Sequence, residues 1–204
     1  MTDSEKWDRG VAALGKEYVL LPPELKVQLD KCAHAVKSRK EQLHKIVSEV
    51  RAAEVCAQCL GECCKGGKNH VTTVDLLIYM GEGKKVFTPA FEFGNCPYLG
   101  ETGCVMEPEY RPLNCITFNC ERIEEALGPL ERDRFYAVEG ELRELYDYYE
   151  QLFDNSFSYG LLSNYERSLA CNGTPILRGA ALGKAGDFLR DSSLPVVNAF
   201  ATGG

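Results

Sequence analysis

Ten cysteines stand in this chain of 204 residues, and eight of them fall in two dense blocks. Cys56, Cys59, Cys63 and Cys64 make the first; Cys96, Cys104, Cys115 and Cys120 make the second. The blocks read C-x2-C-x3-C-C and C-P-x6-C-x10-C-x4-C. Thiols this close in sequence can share an ion or a cluster, and soft sulfur donors select thiophilic metals. Whatever the chain folds into must therefore place a cysteine-rich middle where its sulfurs can converge.

Disulfides are the competing use of such a framework. The chain opens MTDSEKWDRG, with no basic stretch followed by an apolar one, so export is not expected and the protein is read as cytoplasmic. In a reducing compartment a cysteine framework points to metal binding or catalysis. Apolar runs such as Val74 to Met80 fall far short of the roughly 20 residues that span a bilayer, so no membrane association is expected. A net charge of −7 opposes attraction to phosphate backbones, and no basic stripe with interleaved aromatics occurs; nucleic acid is excluded as a partner on that ground. The length is sufficient to bury a core without staples, and one domain over 1–204 is expected.

Periodicity supplies the frame around the cysteines. Leu25, Leu29, Cys32, Val36, Leu43, Ile46 and Val50 step by threes and fours, with Arg39 interrupting the stripe, which predicts an N-terminal amphipathic helix over 22–54. Pro22, Pro23 and Glu24 suit its start. Cys32 belongs to its apolar face as a small hydrophobe. Lys37 to Lys45, including His44, reads as its solvated face. A coiled-coil seam is the other use of such spacing, but the clean repeats are few, which favours packing within the chain.

The first cysteine block then forms a ligand loop whose turns are served by Gly61, Gly66 and Gly67. Thr72 and Asp75 form a capping box that opens a short helix ending near Gly81 or Gly83. Val86 to Phe93 has strand-like composition, but Pro89 demotes it to an extended segment. Beyond the cysteine-cluster region, 56–120, helices are expected over 121–190. Phe135, Val138, Leu142, Leu145, Tyr149 and Leu152 mark the main one, with Gly140 weakening it. Others are expected around Tyr159 to Ala170 and Ala180 to Leu189, with a turn at CNGTP and a frayed tail over 191–204. The expected fold is mainly α, with long amphipathic helices framing an irregular cysteine-rich metal-binding core and little β-sheet.

The spacing also limits how the thiols divide. Cys56 and Cys59 can grip one ion, whereas the side chains of adjacent Cys63 and Cys64 point apart in most conformations and suit different centres. Arg111, ahead of Cys115, is read either as a guanidinium offsetting thiolate charge or as a salt-bridge partner of Glu107 or Glu109. Tyr98, Leu99, Tyr110 and Phe118 are candidates for an apolar wall around the centre. His70 is read as a solvated loop residue, His34 and His44 lie too far away in sequence to be claimed, and Cys171 is a structural or incidental thiol. No P-loop, G-x-G-x-x-G, H-E-x-x-H or G-x-S-x-G occurs, so no reaction class and no catalytic residue is assigned.

The string CAQCLGECC, the helix opening at Thr72 to Asp75, and then NCPYLGETGC and YRPLNCITFNC resemble the YkgJ-like eight-cysteine cluster family, described as zinc- or iron-chelating domains. The likeness spans roughly Cys56 to Cys120. It implies metal binding through Cys56, Cys59, Cys63, Cys64, Cys96, Cys104, Cys115 and Cys120. One C-x2-C, a doublet and four spread thiols depart from paired zinc knuckles, which favours an iron–sulfur cluster of the 4Fe–4S type over zinc. The expected role is electron transfer or metal handling, with a redox or other protein partner. A structural zinc module for protein–protein interaction is one alternative. The other is a methyl transfer linked to S-adenosylmethionine, since flagellin lysine methylases carry a related cysteine pattern; this chain is short for such an enzyme and has no Gly-rich nucleotide loop.

Overall fold

The Thr2 hydroxyl accepts the Glu5 N–H at 3.2 Å while the Glu5 carboxylate accepts the Thr2 N–H at 2.8 Å. This reciprocal box starts helix α1, Asp3–Val19, which buries Trp7, Gly10 and Leu14. The computed structural model describes residues 1–59, 62–64, 66–93, 96–100, 103–153 and 159–177, and among these the protein is mainly α. Helix α1 precedes the first helix expected from the sequence, and T-x-x-E with the 7–10–14 spacing is its signal there.

Helix α2, Pro23–Glu49, takes Pro23 in its first turn, where a missing N–H costs nothing. The expected helix over 22–54 divides here. Arg51 adopts a left-handed conformation (φ 57°), and a separate helix α3, Ala52–Gln58, follows. Helix α4, Thr73–Gly81, is capped by Thr72 and Asp75 as the box predicts, and it buries every residue from Thr73 to Tyr79. A helix buried on every side belongs in the interior, and its one carboxylate, Asp75, must find partners there. It packs against both α1 and α2.

Helices α5, Leu113–Thr117, and α6, Glu121–Ala126, precede the second long helix, α7, Pro129–Phe153. Its buried stripe runs through Phe135, Val138, Leu142, Leu145, Tyr149 and Leu152 and lies along α2. The Tyr149 hydroxyl donates to the Leu29 carbonyl at 3.0 Å, and Arg39 pairs with Glu141 across the same contact. The periodicity thus serves packing within the chain. Helix α8, Leu161–Ala170, crosses α1 where Gly10 faces Leu161, and Lys6 pairs with Glu166 beside it. The sheet content of the described residues is one hairpin, β1 (Leu99–Gly100) with β2 (Gly103–Cys104), in which Leu99 faces Cys104.

One polar contact runs through this core. Lys40, read from sequence as part of a solvated face, is 0% exposed, because it and not Arg39 falls on the stripe between Val36 and Leu43. Its ammonium meets Asp75 Oδ1 at 2.9 Å, and the Tyr146 hydroxyl donates to the same oxygen at 2.6 Å. Asp75 Oδ2 accepts the Thr72 N–H and hydroxyl, both at 2.8 Å. The buried carboxylate therefore accepts four hydrogen bonds, the condition under which a buried charge pair is tolerated.

The CNGTP turn forms as expected, with Asn172 (φ 57°) and Gly173 (φ 75°) both left-handed. Beyond it the Glu17 carboxylate accepts the N–H groups of Ile176 and Leu177 at 3.0 and 2.7 Å, which ties the chain back to α1. The helix expected at 180–189 and the tail at 191–204 lie outside the described residues. Among the described residues no helix is long and apolar enough to cross a membrane.

Candidate metal centre

The short helix α3 carries Cys56, and Cys59 caps its end, so the C-x2-C pair sits on helical rather than loop backbone. The Cys59 thiol is turned toward the Cys56 carbonyl, 3.4 Å away. Two neighbours face α3. It contacts β2, which ends in Cys104, and it contacts α6, which Cys120 caps and where Arg122 reaches Gln58 at 3.1 Å. The helix that carries the C-x2-C pair thus contacts two elements that carry cysteines of the second block.

A second grouping is closer. Cys64 follows on a short turn, Glu62–Cys64, in which the side chain of Cys63 is not among those described. Gly67 presses on Cys96: a Cβ added at Gly67 would stand 2.5 Å from Cys96 Sγ. Cys115, in α5, has His70 Nδ1 3.2 Å from its sulfur. His70 is therefore half-buried against a thiol and not the solvated loop residue expected.

Electrostatics shows how near these sulfurs are. Burial pushes the Cys115 thiol well above its ordinary range, and Cys104, Cys96 and Cys64, then Asp75, push it further. Burial likewise raises Cys96; the Tyr98 N–H at its sulfur opposes the rise, and Cys104 adds to it. Repulsion of this kind needs proximity. Cys64, Cys96, Cys104 and Cys115 form one neighbourhood, and at neutral pH Cys96 and Cys115 hold their protons unless a cation displaces them. Cys59, Cys96, Cys104, Cys115 and Cys120 are thiols, not disulfides.

Tyr98 closes this neighbourhood from the core side. It is 1% exposed, with Phe87 edge-on at a centroid distance of 5.1 Å. Its hydroxyl has no hydrogen-bond partner among the described residues; burial raises its pKa, and Cys96, Cys115, Asp75 and Cys104 raise it further. A buried hydroxyl left unpaired costs about 1–3 kcal/mol. Tyr110 is also buried, whereas Phe118 is 57% exposed and does not contribute to the expected apolar wall. Among the described residues Arg111 forms no ion pair with Glu107 or Glu109: its Nε donates to the Met106 carbonyl at 3.2 Å, and Glu107 pairs with Lys84.

Sulfur and imidazole are the donor types that a thiophilic metal takes. The half-buried Cys64, Cys96 and Cys115 and the exposed Cys104 lie near one another, and an imidazole stands beside Cys115. Among the described residues no three His, Cys, Asp or Glu side chains make a ready cage for a single ion. Residues 60–61, 65, 94–95 and 101–102, between and within the two blocks, lie outside the described residues. Cys32 stands apart, 1% exposed in the α2 stripe, with burial pushing its thiol up to about 11. Cys171 is exposed at the end of α8. His70 was the residue that sequence reasoning undervalued, whereas Tyr98 is buried as the expected apolar wall required.

Comparison with protein-family models, curated proteins and solved structures finds no match to this chain.

Proposed function

We propose that the protein is a cytoplasmic metal-binding protein whose two cysteine blocks hold an iron–sulfur cluster of the 4Fe–4S type, serving electron transfer or metal handling. The observation that carries the proposal is that Cys64, Cys96 and Cys104 lie close enough to Cys115 to raise its thiol further than burial does, with His70 Nδ1 3.2 Å from the same sulfur. Cys56, Cys59, Cys63 and Cys120 are the further ligands that the resemblance to the YkgJ-like family supplies. When bound, such a cluster supplies positive charge and an exchangeable electron.

The chain's own residues have simpler tasks. Tyr98 N–H supports the Cys96 sulfur, Gly67 leaves it room, and His70 stands against Cys115. Cys104 is exposed beside Val105, so one edge of the thiol group is open to a redox or other protein partner. Zinc is the second reading, and His70 favours it, because imidazole is a common zinc ligand and joins sulfur in mixed sites.

Anaerobic purification followed by metal and sulfide analysis with visible absorption tests the proposal. Iron with sulfide, and a broad absorption that bleaches with dithionite, is the expected result. Stoichiometric zinc in a colourless protein selects the second reading. A chain that binds neither overturns both.

A further inference from the structure

The chain on both sides of His70 is gripped by one end of α8. After it, the Leu161 N–H donates to the Val71 carbonyl at 2.7 Å, and Gly160 forms an antiparallel bridge with Thr72. Before it, Gly160 lies so close to Asn69 that an added Cβ would collide with the Asn69 carbonyl oxygen and stand 2.5 Å from the carbonyl carbon. Backbone cannot step aside as a flexible side chain can, so this approach of two main chains requires glycine. One turn along α8, Asn164 donates to the Tyr159 carbonyl at 2.9 Å and to the Thr73 hydroxyl at 3.5 Å. Helix α8 is itself seated on α1, where Gly10 faces Leu161 and Lys6 pairs with Glu166. His70 therefore stands on a short clamped stretch of chain, and from there its Nδ1 comes within 3.2 Å of the sulfur of half-buried Cys115.

We infer that Gly160 is a positioning residue: by letting the start of α8 close on residues 69–72, it holds the His70 imidazole against Cys115, and the seating of α8 thereby controls access to that thiol. While the clamp is shut, the imidazole covers one side of the sulfur. Local opening of α8 from residues 69–72 lets the imidazole withdraw and admits solvent or a small electrophile, at a cost below that of unfolding the whole chain. The protein makes this contact alone, without a metal, so the gate on Cys115 stands or falls apart from the metal reading.

Gly160→Ala forces the clamp apart, and His70→Ala removes the ring it positions. Wild type, the two variants and the double variant are reduced and treated with excess EDTA under anaerobic conditions, so that no bound ion masks a thiol. The rate at which N-ethylmaleimide alkylates Cys115 is then followed by peptide mass spectrometry, with the core thiol Cys32, 1% exposed, as the reporter of global unfolding. Cys115 is expected to react about ten-fold faster in each single variant while Cys32 stays protected. The double variant is expected to react no faster than His70→Ala alone, because Gly160 acts through His70; a purely structural role for Gly160 would not be absorbed in this way. A wild-type rate in Gly160→Ala overturns the inference, and so does a double variant in which the two effects multiply. If Cys32 also reacts in Gly160→Ala, Asn164→Ala takes its place, since it loosens the same grip without a backbone collision. Faster alkylation of Cys115 with Cys32 protected then supports the gate, and a wild-type rate overturns it.

Discussion

At Gly67 a single methyl group separates a site that admits the Cys96 sulfur from one that does not. The added Cβ would stand 2.5 Å from Sγ and 3.2 Å from Cys96 Cβ, closer than packed atoms approach. Gly67→Ala is therefore expected to displace Cys96 and lower metal affinity by roughly ten-fold, the scale at which outer contacts act on metal sites. Chelator competition measures it; retention equal to wild type contradicts the placement of Cys96. The cysteines themselves were legible from the sequence because their density is a signal that needs no fold. His70 was not, since its place beside Cys115 lies in what it faces, and one sequence carries no record of that. Lys40 was half-legible. Its position between Val36 and Leu43 was on the stripe, but its charge argued for solvent, and its partner Asp75 lay 35 residues away on another helix.

Among elements, the long helices were read correctly because stripes of threes and fours survive without tertiary context, and α2 and α7 pair as equal stripes should. The break between α2 and α3 was not readable. Helix ends of this kind usually show Gly or Asn in the left-handed position, and here Arg51 takes it. The joint between α2, α4 and α7 rests on Lys40, Asp75 and Tyr146, which gives a sharp test. Lys40→Met keeps the stem and leaves the Asp75 carboxylate buried without its cation, at a cost of about 3–5 kcal/mol. Thermal unfolding should shift down by roughly 10 °C; a shift within about 2 °C would show that the pair is not the buried contact described. Gly140 offers the opposite sign. A Cβ there meets no atom within 4 Å, and the residue lies inside α7, so Gly140→Ala should stabilise by about 0.5–1 kcal/mol in denaturant unfolding. Destabilisation would mean that α7 packs differently along that side.

For the whole molecule, the helices arrange two stretches of chain so that thiols from both meet at a half-buried edge, and the outcome depends on pH. Cys96 and Cys115 are raised above the ordinary thiol range by burial and by neighbouring sulfurs, so both are protonated in the metal-free fold near neutrality. A metal binds the deprotonated form, and each ligand must release its proton. Apparent affinity therefore rises with pH and falls as the solution is acidified, across about pH 6 to 8, with proton release seen by calorimetry in buffers of different ionisation enthalpy. Binding that is independent of pH in that window would exclude these two thiols as ligands. The frame of the molecule was readable from periodicity, but which sulfurs share a neighbourhood was not, because that depends on how α3 meets β2 and α6 in space.

X-ray absorption at the metal edge of the anaerobically isolated protein tests the central claim most directly, since it reports the atoms around the metal without reference to activity. The proposed metal centre predicts nearest scatterers that are predominantly sulfur, at about 2.3 Å. A nearest shell made only of oxygen and nitrogen would contradict it.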